Sequence, residues 1–310
     1  MIYIPARQEP AILALNILQI AINSALTGSV YALVSIGLTL VYRILKFANF
    51  SHAEMVTSGA YIGLALNHIA GQSLLVCLAG GFGFAGVLGV GSELLVFRPL
   101  RRRGADRISL MVASIGLGLV IRHSIQQIWG SKFLWYNLRT KVYSLKLGGA
   151  EATLTSIHVV MLLSSFVLVS LVHIFLTRTK LGKAMRATSD SPTLASACGI
   201  DVDRVLIWVW FIGAGLAGIG GVLRGADTRL VPQIGWETLL SSFAVVILGG
   251  IGNFYGTILA AYILGFAENV GVVILRALSL STGYRPAIAF IVLIIVLLVR
   301  PRGIMGSERD

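Results

Sequence analysis

The chain has 310 residues, of which 56% are hydrophobic and 12% are charged, and its mean hydropathy is +0.86. Soluble domains average about 25% charged residues, so this chain has too few polar side chains to cover a surface that faces water. The composition excludes a soluble enzyme, a disulfide-stapled secreted domain and a disordered chain. It indicates membrane-spanning helices, because the apolar runs are continuous whereas the strands of a membrane β-barrel alternate in hydrophobicity.

Nine apolar segments follow one another along the chain, and they predict an all-α transmembrane bundle with eight or nine membrane segments. They lie at residues 12–42, 50–69, 73–97, 108–129, 157–176, 205–223, 236–250, 254–275 and 285–299. The first is long enough to tilt or to extend beyond the bilayer. The seventh and ninth are the shortest, and short segments interrupted by glycine are typical of broken or re-entrant helices. No internal repeat is evident, so residues 1–310 are predicted to form a single domain.

Lys and Arg give the chain a formal net charge of +12, and most of them lie in the loops between apolar segments. Three basic stretches fall on the same side of the predicted bundle, at 97–107, 177–204 and 300–310. Because Lys and Arg accumulate in cytoplasmic loops, we expect the N-terminus outside and the C-terminus inside. The charge is therefore explained without a nucleic-acid partner. On the opposite side, the alternating sequence KVYSLKL at 141–147 favours a small external hairpin.

Polar side chains mark the start of the second segment, where the sequence reads NFSHAEMV at 49–56. Ser51 and Glu54 have the spacing of a capping box, in which each side chain binds an unpaired backbone N–H of the helix start. If the helix begins in a cavity within the membrane, Asn49, His52 and Glu54 also line a path for a polar solute. The two interpretations are compatible, because a capped helix end can itself face the path.

The loop at 177–204 is predicted to fold into two short amphipathic helices. The stretch LGKAMRA at 181–187 is helical by propensity. Ser191 is a good N-cap with Pro192 at the first helical position, and Gly199 is a good terminator. A plain connector between two spans needs few residues. This longer loop with its own caps therefore indicates a docking element for a cytoplasmic partner, and the alternative is an ordinary basic loop.

Four further polar side chains lie inside or near the apolar segments. Glu268 and Asn269 fall within the eighth segment, where a carboxylate is either functional or pairs with a neighbouring helix. Glu93 and Arg122 lie toward segment ends, and we expect both to extend to the membrane interface.

The sequence lacks the residue patterns of a metal site, a disulfide and a nucleotide-binding loop. The five histidines show no ligand spacing, so we expect no metal site and no cofactor. Cys77 lies in an apolar run and Cys198 in a polar loop, so a disulfide between them is not expected. The only Gly-Lys pair, Gly182–Lys183, lacks the upstream glycine and the following hydroxyl of a nucleotide-binding loop. We expect no enzyme activity in this chain, and any ATP must be hydrolysed by a partner.

Four motifs stand in order along the chain: NFSHAEM at 49–55, GKAMRATSDSPTLASACGID at 182–201, GGIGNFYGTILAAYILGFAE at 249–268 and RPRGIMG at 300–306. In this order they resemble signatures of the branched-chain amino acid ABC permeases of the Liv type, and the resemblance covers nearly the whole chain. One departure is Ala53, which stands where the family motif N-F-A-H-G-E usually has glycine.

The resemblance implies a permease in the cytoplasmic (inner) membrane that pairs with a related second permease, two ABC ATPase subunits and an extracytoplasmic amino acid-binding protein. Its implied cargo is branched-chain amino acids. One alternative is an importer of urea or short amides; another is a self-contained channel or secondary transporter, which has no need of a docking loop at 177–204. The expected path residues are Asn49, His52, Glu54, Asn253 and Glu268. The expected coupling residues are Gly182, Lys183, Arg186, Ala187, Ser191, Pro192 and Gly199.

Overall fold

A computed structural model describes residues 9–147 and 150–306 of the chain. Its helices are α1 (Glu9–Leu45), α2 (His52–Ala70), α3 (Leu74–Ser92), α4 (Arg98–Arg102), α5 (Arg107–Trp129), α6 (Ser156–Arg178), α7 (Lys180–Asp190), α8 (Pro192–Ala197), α9 (Val202–Asp227), α10 (Ile234–Gly249), α11 (Phe254–Ala277) and α12 (Arg285–Val299). A π-helical turn at Glu93–Phe97 joins α3 to α4, and a 3₁₀ turn at Thr282–Tyr284 precedes α12. Two strands, β1 (Val142–Leu147) and β2 (Ala150–Thr155), lie between α5 and α6.

Each of the nine predicted apolar segments has a helical counterpart: α1, α2, α3, α5, α6, α9, α10, α11 and α12. Within the described residues, seven stretches are long and apolar enough to cross a membrane. One of them, Thr282–Val299, shows that the ninth segment is long enough to span once its 3₁₀ turn is included. The seventh segment is α10, a shorter apolar helix of 16 residues. The chain is therefore a polytopic helical membrane protein, as the sequence predicts.

Helix α9 lies at the centre of the bundle, where α1, α2 and α3 pack against it. Its residues from Gly213 to Leu223 are all buried. The helices approach so closely because small residues face each other: a methyl group at Gly59 of α2 would lie 2.3 Å from the Cα atom of Gly218 on α9. Such contacts between small residues let backbones pack in a medium that offers no hydrophobic driving force.

Contacts among loops and helix ends show which loops lie at the same end of the bundle. At one end, which we call the α7 end, Arg43 contacts Ser189, and the Asn253 amide donates to the Met305 carbonyl at 2.7 Å. At the other end, which we call the hairpin end, Leu134 and Leu230 form an isolated backbone bridge. This division is the one expected if the nine segments alternate in direction.

The predicted hairpin is confirmed by the pairing of the two strands. β1 and β2 are antiparallel, in a register that places Val142 opposite Thr155. Gln19 of α1 fixes the hairpin to the bundle, because its side-chain oxygen accepts from the backbone N–H of Thr153 at 2.9 Å. The hairpin is therefore fixed to α1 at Gln19, about ten residues beyond the first residue of that helix.

Two helices begin inside the bundle rather than at one of its ends. His52, the first residue of α2, lies beside the crossing of Gly37 and Gly213. Gly213 is about 11 residues beyond the start of α9, which corresponds to ~16 Å along a helix. The start of α10 meets the start of α2, since a methyl group at Gly235 would lie 1.9 Å from the Ala53 carbonyl oxygen. For α10, this placement agrees with the expected broken or re-entrant segment.

Candidate functional site

The start of α2 is not closed by the predicted capping box, and that prediction is wrong. The Ser51 side chain makes no capping hydrogen bond. Its hydroxyl donates instead to Oδ1 of Asn49 at 2.7 Å, and its backbone N–H donates to the same oxygen at 3.1 Å. The Glu54 carboxylate turns toward Arg122, because a buried carboxylate gains more from a charged guanidinium than from a backbone N–H.

Glu54 and Arg122 form a buried ion pair between α2 and α5. Glu54 is fully buried, and its Oε1 accepts from both Nε of Arg122, at 2.9 Å, and a terminal nitrogen of the same guanidinium. The guanidinium carbon also lies 5.2 Å from the centre of the Trp236 ring, a cation–π arrangement. The start of α2 thus carries a charge pair enclosed by three helices.

Neither of the two charged residues expected at the interface extends there. Arg122 turns inward to Glu54, and only 16% of its side chain is exposed. Glu93 is buried within the π-helical turn and accepts from Arg101, with one N–O distance of 2.9 Å. The expectation for both is wrong because each finds an oppositely charged partner, which makes burial cheaper than it is for a lone charge.

Helix α5, which brings Arg122 to the site, is fixed at its first turn by Asp106. The Asp106 side chain accepts from the backbone N–H of Ser109 at 3.0 Å, as an N-cap does. Hydrogen bonding from Ser109 lowers the pKa of the Asp106 carboxyl. The cap therefore remains ionised and complements the positive end of the helix.

Two polar atoms at the start of α2 have no partner. The second carboxylate oxygen of Glu54 and the amide nitrogen of Asn49 are buried without a hydrogen bond to any described residue. His52 is satisfied, since its Nε2 lies 3.0 Å from the Val34 carbonyl oxygen and therefore carries the donated proton. The cluster therefore holds one buried acceptor and one buried donor without a described partner.

Glu268 lies in a separate network that joins four helices. It is fully buried, and its carboxylate accepts from the Tyr31 hydroxyl, the Ser241 hydroxyl and Nε of Arg285, each at 2.8 Å. Of the two interpretations that the sequence leaves open, the structure favours pairing with neighbouring helices. The neighbouring Asn269 donates to the Thr27 hydroxyl at 3.1 Å.

Asn253 occupies a third position, at the α7 end. Its side chain caps α11 by accepting from the backbone N–H of Gly256 at 2.9 Å, and it is half-buried. The five predicted path residues are therefore not gathered in one cavity. Asn49, His52 and Glu54 lie together, whereas Glu268 and Asn253 each belong to other contacts.

The two predicted helices of the 177–204 loop are present as α7 and α8. Ser191 caps α8 by accepting from the backbone N–H of Leu194 at 3.2 Å, and Pro192 occupies the first turn. Gly199 follows the end of α8 with φ of +82°, a conformation that favours glycine. Thr179 caps α7 in the same way, because its hydroxyl oxygen accepts from the backbone N–H of Gly182 at 3.0 Å. Thr179 is not among the coupling residues that the sequence predicts.

Helix α7 folds tightly back against the end of α6. A methyl group at Gly182 would lie 2.3 Å from the Phe175 carbonyl oxygen, so only glycine fits at this contact. Met185 is buried on the inner face, whereas Lys183 and Arg186 are exposed on the outer face. In α8, Leu194 is 65% exposed. The α7 end therefore presents a rigid surface with basic groups and one large apolar side chain.

Arg43 links this surface to the end of α1. Its Nε donates to the Ser189 hydroxyl at 2.9 Å, and its guanidinium lies 3.7 Å from the Asp190 carboxylate. Residues 46–51 then lead from the end of α1 to the start of α2. Nothing in the sequence distinguishes Arg43 as a link, because a basic residue in the last turn of a helix is common for electrostatic reasons alone.

Comparison with known proteins identifies relatives along almost the entire chain. A family model described as "Branched-chain amino acid transport system / permease component" matches residues 20–297. The permease protein LivH of the high-affinity branched-chain amino acid transport system of Salmonella typhimurium is 32% identical over 305 residues, covering 94% of this chain and 96% of that protein. The corresponding LivH of Escherichia coli K12 is 30% identical over 312 residues, with the same coverage.

A more distant similarity extends to a second type of permease. The LivM permease protein of the Escherichia coli K12 system is 24% identical over 270 residues, which cover 78% of this chain and 61% of that protein. No solved structure matches the chain. The match of the family model over most of the bundle, together with relatives of nearly equal length, shows that the chain belongs to the family of branched-chain amino acid transport system permease components.

Proposed function

We propose that this chain is the membrane-spanning permease subunit of an ATP-driven importer of branched-chain amino acids in the cytoplasmic membrane. The names of its relatives support the cargo. The observation that carries the proposal is the α7–α8 surface, because a self-contained channel does not need a folded, basic docking element. Importers of urea or short amides have no comparable support among these relatives.

The α7 end is the cytoplasmic end in this proposal. Most of the Lys and Arg residues in loops lie there, in the stretches 97–107, 177–204 and 300–306. Positively charged loops of membrane proteins are retained in the cytoplasm. The hairpin end, with β1 and β2, then faces outward, where an extracytoplasmic amino acid-binding protein delivers the cargo.

Two ABC ATPase subunits hydrolyse the ATP, since this chain has no nucleotide-binding loop. One of them docks on the α7–α8 surface, where Lys183 and Arg186 meet acidic groups and Leu194 enters an apolar recess. A second permease completes the membrane unit, and the similarity to LivM supports a related rather than identical partner.

ATP-driven movement reaches the path through Arg43. When the ATPases close, they displace α7, which is packed too tightly at Gly182 to bend independently of α6. The contacts of Arg43 with Ser189 and Asp190 pass this displacement to the end of α1. Residues 46–51 transmit it to the start of α2, where the unpartnered atoms of Asn49 and Glu54 then face the cargo.

Glu268 and Asn253 support the path from a distance. Glu268 neutralises Arg285 and holds α1, α10, α11 and α12 together. Asn253 caps α11 and binds the Met305 carbonyl, so it fixes the loop at 250–253 against the chain's C-terminal turn. Both act as positioning residues in this proposal.

The test is uptake by the complete importer, reconstituted in vesicles with its binding protein. Labelled leucine, isoleucine, valine, urea and acetamide are supplied in turn. We expect uptake of the three amino acids only. Uptake of urea or acetamide without that of leucine would contradict the proposed cargo and favour the amide importer.

A further inference from the structure

A cavity of about 270 Å³ lies at the hairpin end, between α1, α6, α9, α11 and α12. It is separate from the start of α2 and contains none of the expected path residues. Its volume is below the ~300–1,000 Å³ of sites for drug-sized ligands, which suits a smaller solute.

Among the described residues that line the cavity, Arg224 is a cation without an acidic partner. Arg285 at its wall is paired with Glu268 at 2.8 Å. Arg224 of α9 also lines the cavity, and it forms no salt bridge with any described residue. A guanidinium without a counter-ion in a half-buried position attracts an anionic group, and its fork geometry suits a carboxylate.

A carboxylate stands at the same cavity, one helical turn from Arg224. Oδ1 of Asp227 lies 2.9 Å from Nε2 of His158. Since Nδ1 of His158 accepts from the backbone N–H of Thr155 at 3.3 Å, the Nε2 atom carries the proton and donates it to Asp227. The other oxygen of Asp227 has no hydrogen bond with the described residues and can accept from an ammonium group.

Part of the remaining wall is apolar, and the rest is formed by the polar residues Asn23, Thr27, Thr228 and Asn269. Leu26 and Val30 from α1 and Met161 from α6 line the cavity, and each is at most 5% exposed. Among its described lining residues the cavity therefore combines a guanidinium without an acidic partner, a carboxylate oxygen without a hydrogen bond and a patch of three apolar side chains. These three features match the three parts of an aliphatic α-amino acid: its carboxylate, its ammonium and its side chain.

We infer that this cavity binds a zwitterionic aliphatic amino acid after its delivery to the hairpin end. Arg224 binds the carboxylate, Asp227 binds the ammonium, and Leu26, Val30 and Met161 contact the side chain. Glu268 has a positioning role here, because it neutralises Arg285 and leaves Arg224 as the cation available to the ligand. The inference rests on the proposed function, which supplies the reason why such a ligand reaches this end of the bundle.

The experiment measures binding of labelled leucine to the purified complex of both permeases and both ATPases, without the binding protein. Competing probes are leucinamide, which lacks the carboxylate, 4-methylpentanoate, which lacks the ammonium, and glycine, which lacks the aliphatic side chain. We expect each probe to compete at least about tenfold less well than leucine, because each leaves one feature of the cavity unpaired or empty.

Two variants assign the binding to the cavity. Arg224→Gln is expected to weaken leucine binding at least about tenfold, whereas Arg229→Gln is the matched control. Arg229 lies at the same end but outside the cavity, with its guanidinium over the Phe133 ring. Asp227→Asn is expected to weaken leucine binding and to leave the affinity for 4-methylpentanoate unchanged, since that probe has no ammonium.

The possible outcomes separate this inference from the proposed function. Leucine uptake by the wild-type complex, with unchanged leucine binding in both Arg224→Gln and Asp227→Asn, would overturn the inference and leave the importer function standing. Equal losses in Arg224→Gln and Arg229→Gln would also overturn it. Binding that is lost only in the cavity variants, in a wild-type complex that takes up no leucine, would support the cavity and contradict the proposed function.

Discussion

The charged residues with the largest structural effect in this bundle are those in buried ion pairs. Glu54–Arg122 and Glu268–Arg285 each place a fully buried carboxylate against a guanidinium that is mostly shielded from solvent. Removal of one partner from such a pair leaves an uncompensated charge and costs about 3–5 kcal/mol, although replacement of both partners can be nearly neutral. The two pairs therefore constrain which helices can move apart during transport.

The Glu54–Arg122 pair gives a prediction about stability and transport. Glu54→Gln and Arg122→Gln should each lower the thermal unfolding midpoint in detergent, and the double variant should lose less than the sum of the two. Glu54→Gln should also reduce uptake, because in the proposed path the unpartnered carboxylate oxygen faces the cargo. Glu151→Gln, which breaks the exposed pair with Lys146, is the control and should change little. If the double variant loses as much thermal stability as the two single variants together, Glu54 and Arg122 do not stabilise the bundle as a pair.

Arg43 is expected to couple α7 to the end of α1. Arg43→Gln removes the charged link to Ser189 and Asp190 and should lower the ratio of leucine uptake to ATP hydrolysis several-fold. Arg103→Gln is the control, since Arg103 is exposed at the same end and outside the chain of contacts from α7 to α2. Uptake and hydrolysis measured in the same vesicles give the ratio. An unchanged ratio in Arg43→Gln would show that movement of α7 does not reach α1 through Arg43.

Among the secondary-structure elements, α7 is the one that we propose transmits force from the ATPase. It is short, capped at its start by Thr179 and packed through Gly182 against α6. Capping and tight packing make a short helix behave as a rigid body, which its propensity alone does not achieve.

A proline in α7 tests this rigidity. Ala187→Pro removes a backbone hydrogen bond and costs about 3 kcal/mol or more in a helix interior. It should release the ATPase or uncouple hydrolysis from uptake, while the membrane bundle keeps its expression and thermal stability. Ala187→Ser is the control and should preserve both activities. Normal ATPase binding and uptake in a well-expressed Ala187→Pro complex would rule out α7 as the coupling element.

The proposed function requires the α7 end of the bundle to face the cytoplasm and the hairpin end to face outward. Cys198 is exposed at the α7 end, and Cys77 is buried, so the natural protein carries one accessible thiol among its described residues. A membrane-impermeant maleimide should label Cys198 only from the cytoplasmic side. In a Cys198→Ser background, Tyr143→Cys on β1 should be labelled only from outside. Labelling with the opposite sidedness would invert the proposed orientation.

The sequence could predict those features that depend on neighbours along the chain. Continuous apolar runs located the membrane helices, and the Ser191-Pro192 pair located the start of α8. The partners of buried charges could not be predicted, because they depend on helix packing: Glu54 and Arg122 are 68 residues apart. Because the sequence alone does not show this packing, the spacing of Ser51 and Glu54 predicts a capping box that the structure does not contain. For the same reason, the sequence does not indicate that Arg224 and Asp227 line one cavity.

In the proposed function, ATP hydrolysis by partner subunits drives cargo through this chain. The most direct measurement is leucine uptake by vesicles that hold the complete importer, with the binding protein and labelled leucine on the hairpin side and either ATP or ADP on the α7 side. We expect leucine to accumulate above the external concentration with ATP and not to accumulate with ADP. Equal leucine entry with ADP, or entry that only equilibrates the two sides, would contradict the proposed function and indicate a channel.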